Sequence, residues 1–288
     1  MSWSRSPQHQ SRSLRFYRAV RDLQPVWRLE DMRTMETFYL EADDTPRPYS
    51  PSEALLYAIV HDHRAYARYL LSHHAEEALS RPGEHRHLAM TVRYDRRVIL
   101  GLILREEARR HAPGACPSVD PGGCWHVEDG KTPLHLACEL ARPDAVTMLL
   151  GNGASPRVQD RRGRTPLDLL LARFREPRGG ERPAERRRCL DNLLMFMPAE
   201  RHFNMKGALH GEPDYWSEAL GEATFQYLVG RTPAALVLAA MQAVLRQLSP
   251  AGFPDSLQEL PIPSALNPLS PAPLRPASRE IEDETFVC

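Results

Sequence analysis

Gly130 to Ala137 reads GKTPLHLA and Gly163 to Leu170 reads GRTPLDLL. Thr132 and Thr165 stand 33 residues apart, and self-similarity at a fixed period decides an architecture before any single element does. The local chemistry explains the motif. A threonine hydroxyl caps a helix start, proline fits the first helical position where no N–H is needed, and Ala137 is small enough for close helix packing. Leu149, Leu150 and Gly153 then mark the end of a second helix, with glycine supplying the left-handed residue that leads into the next unit. Each copy predicts a helix–turn–helix.

Two weaker copies lie upstream. Leu55 to Leu71, LLYAIVHDHRAYARYLL, aligns without gaps on Leu134 to Leu150, LHLACELARPDAVTMLL, so that Ala58 matches Ala137 and Leu70-Leu71 match Leu149-Leu150. Leu88 to Leu104 places Thr91 at the same phase, 33 residues after Ala58. From Thr91 to Ala137 the interval is 46, one period plus a 13-residue insertion that includes HAPGACPSVDPGG. In the fourth copy the Arg-, Pro- and Gly-rich stretch from Arg175 to Glu185 separates the two helices, the second resuming near Arg188 to Met197. This is the ankyrin period. The predicted fold is an all-α ankyrin-repeat solenoid of about four repeats. Such repeats cannot bury their apolar faces alone and need caps; Leu14, Phe16, Tyr17, Val20, Leu23, Val26, Trp27, Leu29, Met32 and Phe38, at broadly helical spacing, predict an N-terminal helical cap over 13–49.

Basic and acidic residues balance at 37 each, so no global field favours nucleic acid or an anionic membrane. Only Lys131 and Lys206 are lysines; the other 35 basic residues are arginines. Arginine gives planar, always-charged contacts, whereas lysine also accepts ubiquitin and acetyl groups, so the chain offers few acceptors for such modification; a compositional bias towards arginine is the alternative reading. Five cysteines at irregular spacing point to a reducing cytosolic setting, with the nucleus also open. His111, Cys116, Cys124 and His126 cluster in or beside the insertion, but their spacing matches no familiar zinc motif, and no metal or other cofactor is expected. His135 fits a scaffold hydrogen bond between repeats. His61 and His63, two apart on an expected helix, would face different sides. No phosphate loop, HExxH pair or nucleophile elbow occurs, so the chain is not expected to be an enzyme.

Beyond the repeats, Tyr215 to Gly230 carries Trp216, Leu220, Phe225 and Leu228 in a helical pattern that bridges to a second apolar block. In that block Leu236, Ala240 and Val244 recur every four residues and so share one helix face. Ala235-Leu236 through Ala240 to Val244 resembles, position by position, the elongin-binding box of SOCS-box proteins, with Ala240 where that family usually has Cys. Leu260-Pro261-Ile262-Pro263 resembles the cullin-5 box of the same family, in which two prolines stiffen the backbone and present two aliphatic side chains. Pro268 and the lack of an aromatic soon after depart from the longer pattern, which keeps cullin-2 open beside cullin-5.

Ankyrin repeats followed by these boxes resemble the ankyrin-repeat SOCS-box receptors, over about Ser13 to Leu269. The resemblance implies a non-catalytic receptor that holds a protein substrate on its repeats. Elongin B and elongin C would be recruited through Ala235, Leu236, Ala240 and Val244, and cullin-5 or cullin-2 with its RING subunit through Leu260, Pro261, Ile262 and Pro263. The fingers before the first helices, with Glu128, Asp129, Lys131, Asp160, Arg161, Arg162 and Arg164, are the expected substrate surface. The resulting map is a disordered N-terminus over 1–12, the cap over 13–49, and repeats over 50–197, divided as 50–82, 83–128, 129–161 and 162–197 with loop insertions near 111–123 and 175–187. A linker and bridging helix follow over 198–231, then the SOCS-box-like segment over 232–269 and a disordered tail over 270–288. A non-ligase scaffold, or an inhibitor of a protein target, remains the alternative.

Overall fold

A computed structural model describes residues 51–79, 86–110, 128–175, 183–197, 202–262 and 267–268. The expected N-terminal cap, the core of the 111–123 insertion, the four His/Cys residues at 111, 116, 124 and 126, Pro263 and the tail lie outside these residues. Four helix pairs follow one another: α1 (Pro51–Val60) with α2 (Arg64–His73), α4 (Arg86–Arg93) with α5 (Arg97–Arg110), α6 (Pro133–Glu139) with α7 (Pro143–Gly151), and α8 (Pro166–Phe174) with α9 (Pro183–Phe196). The short α3 (Ala75–Leu79) follows the first pair.

The gapless phase read from the sequence has a geometric counterpart in the turn within each pair. His63 N–H donates to Ala58 C=O at 2.8 Å, Arg96 N–H to Thr91 C=O at 2.8 Å, and Arg142 N–H to Ala137 C=O at 2.9 Å. One residue before each donor the backbone turns left-handed, at Asp62 (φ 51°), Asp95 (φ 57°) and Ala141 (φ 51°). Aspartate tolerates that conformation; alanine adopts it at a steric cost. The same turn corrects the expectation for His61 and His63. Helix α1 ends at Val60, so the two are turn residues and their rings lie 5.8 Å apart.

First helices stack on first helices, α1 on α4, α4 on α6 and α6 on α8, while second helices form a parallel row, α2, α5, α7 and α9. Leu55, Ala58, Ile59, Leu88, Met90, Ile99, Leu100, Leu134, Ala137, Val146, Leu149, Leu167, Leu170, Leu190 and Leu193 are buried between the rows. Arginines brace the stack from repeat to repeat. The Arg96 guanidinium donates to the carbonyls of Ile59 (3.0 Å) and Val60 (2.6 Å) at the end of α1. Arg173 donates to the carbonyl of Glu139 at the end of α6 (2.9 Å). Helix ends leave such carbonyls without partners, and a cation there also opposes the helix dipole.

After α9 come α10 (Lys206–Gly211), α11 (Pro213–Leu220), α12 (Glu222–Val229) and α13 (Leu236–Gln247), then a 3-10 turn (Pro250–Gly252) and α14 (Asp255–Gln258). The single bridging helix expected from Tyr215 to Gly230 is therefore two. Pro213 starts α11, and Gly221 at φ 78° ends it one residue before α12 begins. Trp216, Leu220, Phe225 and Leu228 are buried as their spacing implies. Helix α13 packs on α9, as the next member of the second-helix row, and the 3-10 turn reaches back to α5.

Candidate functional site

The finger between α7 and α8 is built by one carboxylate. Asp160 Oδ1 accepts the backbone N–H groups of Arg162 (2.9 Å) and Arg164 (2.8 Å), while Oδ2 accepts from Arg164 Nε (2.9 Å). Burial works to raise the pKa of Asp160, but the hydrogen bonds from Arg164 and Arg162 outweigh it and hold the carboxyl below its ordinary value. The neighbouring finger docks by Arg161 N–H donating to Asp129 C=O at 2.8 Å. Asp129 and Gly130 both adopt positive φ (60° and 70°), and Arg161 lies across Gly130 where a Cβ would come within 2.8 Å of its Cγ. Asp129 also pairs with Arg162 at 2.9 Å and faces Arg164 at 3.8 Å.

These contacts divide the seven expected substrate residues. Arg161 and Arg162 are exposed, and Asp129 and Arg164 are half-buried. Lys131 and Asp160 are turned inward, contrary to expectation. Lys131 is 7% exposed, and its Nζ donates to both oxygens of Glu139 at 3.0 and 2.8 Å. Glu128 opens the 3-10 turn Glu128–Gly130. The outward chemistry of this edge is thus mainly that of Arg161 and Arg162, joined by the exposed Arg157.

His135 performs the scaffold role. Its Nδ1 accepts from Thr132 N–H at 3.1 Å and its Nε2–H donates to Arg164 C=O at 3.0 Å, linking one finger to the next. Burial is the main cause that lowers its pKa, which keeps the imidazole neutral. In the next repeat Asp168 takes the same place with the opposite polarity. Its Oδ2 accepts from Thr165 N–H and Oγ1, both at 2.8 Å, and its Oδ1 accepts the N–H groups of Asn204 (2.8 Å) and Met205 (2.9 Å). A histidine here would donate to a following finger; the aspartate instead accepts from the segment that leads into α10. The sequence signal was the change from TPLH to TPLD.

The second candidate surface is α13. Its docked face consists of Met241, Gln242 and Leu245, all buried, with Leu238 partly buried beside them. Gln242 Nε2 donates to Leu194 C=O on α9 at 2.9 Å and contacts Tyr227 Oη at 3.3 Å. The opposite face holds the predicted stripe. Leu236 is 85% exposed and Val237 52% exposed; Ala235 and Ala240 are also exposed, and Val244 is half-buried. Residues at 100° per step separate in this way, with 236, 240 and 244 on one side and 238, 241, 242 and 245 on the other. Gln242 was missed because an amide on an apolar face reads as a solvent position until its partners are known.

Leu260 and Ile262 lie on a different footing. Extended alternation puts both on one side, and that side packs against the chain's own core, leaving Pro261 exposed. Phe253, just upstream, sits on Gly151 at the end of α7, where a Cβ would meet its ring at 2.3 Å. Arg105 pairs with Asp255 at 2.7 Å on the surface. Among the described residues no cluster of three or more His, Cys, Asp or Glu could hold a metal ion, and no helix is long and apolar enough to cross a membrane.

The family model "Ankyrin repeats (many copies)" matches residues 126–170. Ankyrin repeat domain-containing protein 9 of Mus musculus is 40% identical over 288 residues, covering 89% of this chain and 88% of that protein. Neurogenic locus notch homolog protein 4 of Homo sapiens is 48% identical over 59 residues, 20% of this chain and 3% of that protein. BTB/POZ domain and ankyrin repeat-containing protein NOOT1 of Medicago truncatula is 54% identical over 41 residues, 14% of this chain and 8% of that protein. No solved structure matches.

Proposed function

Because the chain belongs to the family of ankyrin repeat domain-containing protein 9, an ankyrin-repeat family, we propose that it is a protein-binding receptor that delivers a substrate to an elongin–cullin–RING ubiquitin ligase. The observation that carries the reading is the outward face of α13. A leucine at 85% exposure beside a valine at 52% leaves apolar area in water on a helix whose other side is already docked. Full burial of such a side chain in a partner is worth about 1.5–3 kcal/mol. The residues at Leu236 and Ala240 are those that the SOCS-box resemblance assigns to an apolar pocket on elongin C, where the small Ala240 permits close approach.

In this reading the chain makes and breaks no bond. The substrate is held at the finger edge around Arg161 and Arg162, and the E2 brought by the RING subunit acts on it through proximity. Cullin-5 or cullin-2 would reach the LPIP segment through Pro261 and the elongin complex rather than through Leu260 and Ile262, which face inward.

Affinity purification of the full chain tests the reading. Elongins B and C should co-purify with the wild type and be lost with Leu236→Arg, which puts a charge into an apolar contact. Retained elongins in that variant would refute the assigned box. The inward packing of Leu260 and Ile262 favours a second reading, a repeat scaffold whose C-terminus only closes the stack; absence of elongins from the wild-type purification would select it.

A further inference from the structure

We propose that Lys206 is the site at which this chain is itself ubiquitinated. The inference rests on the ligase reading above and adds a modification site to it. Arginine stays protonated under all ordinary conditions and does not accept acyl groups, whereas a lysine ammonium can shed its proton and become a nucleophile. The sequence offers two lysines, Lys131 and Lys206. Structure separates them sharply.

Lys131 is 7% exposed, and its three-proton head is clamped by both oxygens of Glu139 at 3.0 and 2.8 Å. To react it would have to break that ion pair and draw its own buried head out from beside Glu139. Lys206 opens α10 and is exposed, and among the described residues no ion pair engages its ammonium. Its surroundings are open as well: a Cβ built on Gly207 or on Gly211 would meet nothing within 4 Å. An E2 carrying ubiquitin needs such clearance.

Position favours it too. Asn204, two residues before Lys206, donates through its side chain to Gly163 C=O in the finger that carries Arg161 and Arg162, and the Asn204 and Met205 N–H groups are fixed by Asp168. Lys206 therefore borders the edge where a client would be presented, and a transfer machinery that reaches lysines on the client reaches this one. In the step itself, Nζ gives up a proton to solvent and attacks the carbonyl carbon of the thioester that joins the C-terminus of ubiquitin to the E2 cysteine. The C–N isopeptide bond forms, the C–S bond breaks with its electron pair leaving on the E2 sulfur, and the nitrogen's second excess proton is lost and balances the reprotonation of that thiolate.

Full-length chain assembled with elongins B and C, cullin and RING subunit is incubated with E1, E2, ubiquitin and ATP. Wild type and Lys131→Arg should both be modified, and Lys206→Arg, which keeps the charge, should fall to background. In parallel, the folded chain is treated with a limiting amine-acetylating ester; Lys206 should acetylate well before Lys131, and the preference should vanish in urea. Ubiquitin found on the Lys206→Arg chain, or none on the wild type within an assembled complex, overturns the site. Equal acetylation of the two lysines in the folded chain removes its physical basis. Failure to capture elongins is read separately, before ubiquitin is added: it removes the ligase reading, and this site with it.

Discussion

Replacing Asp168 by alanine would remove one acceptor from four donors at once: Thr165 N–H and Oγ1 at 2.8 Å, Asn204 N–H at 2.8 Å and Met205 N–H at 2.9 Å. Asp168 is buried, so water cannot simply take over. Hydrogen bonds to a charged group contribute about 1.5–3 kcal/mol each in net terms, and the four are not additive because the carboxylate also loses a desolvation cost. A loss of about 3 kcal/mol follows, in the range for breaking a buried charged network. Urea denaturation of the full chain measures it as a shift in midpoint at constant slope. A second substitution separates helix capping from segment docking. Asp168→His restores the geometry of His135, accepting from Thr165 on one nitrogen, but sets an N–H against the N–H groups of Asn204 and Met205. Those two amides should then exchange with solvent as fast in Asp168→His as in Asp168→Ala, while the start of α8 stays protected only in the histidine variant. A loss below about 1 kcal/mol for Asp168→Ala, or unchanged exchange at Asn204 and Met205, would refute the reasoning.

Leu236→Arg should change stability by no more than about 0.5 kcal/mol, as expected for a surface substitution, so that its loss of elongin capture cannot be blamed on unfolding; thermal melts of the two proteins check this. Phe253→Ala should cost about 3–5 kcal/mol, and Gly151→Val should displace the same ring, since a Cβ there falls 2.3 Å from it; limited proteolysis after residue 248 should accelerate in both. His135 has a folded pKa below its ordinary 6.5, so the unfolded chain binds more protons in the window between the folded value and 6.5. Its contribution is full above that window and declines as pH falls through 6.5 toward the folded value. A stability-against-pH curve for His135→Gln should be flatter there than the wild type, and parallel curves would sink the assignment.

The repeat was legible because its determinants are local and recur. Threonine, proline and a small residue at fixed offsets specify a capped helix without reference to anything distant, and the left-handed turn at Asp62, Asp95 and Ala141 keeps the same phase as Ala58, Thr91 and Ala137. The stripe on α13 was legible for the same reason, as a periodicity of four. What the sequence concealed depends on partners far away. Lys131 and Asp160 read as finger charges, and only the positions of Glu139 and of the Arg162 and Arg164 amides show them to be consumed in building the fingers. Leu260 and Ile262 read as presented side chains because alternation fixes that they share a side, but not which side. Tyr215 to Gly230 read as one helix because Gly221 costs a helix only about 1 kcal/mol, too little to announce a break.

On the proposed ligase reading, delivery by proximity would make a demand on the joint between the two candidate surfaces, since a client held near an E2 gains rate only if the geometry is kept. The contacts that link the repeats to the C-terminal block answer that demand with polar pairs, some buried and some at the surface, rather than with grease alone. Asp168 fixes Asn204 and Met205; the Arg187 guanidinium donates to Leu220 C=O at the end of α11 and to Thr224 Oγ1 at 2.9 Å; Tyr215 Oη donates to Phe174 C=O at 2.7 Å; Gln242 donates to Leu194 C=O at 2.9 Å. The buried ones, Asp168 and Gln242, would be costly to leave unpaired in any other docking pose, so they select one orientation of α13 against α9 where an apolar interface would tolerate several. The outward direction of Leu236 is thereby set by the inward bond of Gln242. Gln242→Leu should keep the helix docked through its area yet loosen its register, and elongin capture that survives with a shortened lifetime, at unchanged stability, is the outcome that follows from a mount whose function is orientation.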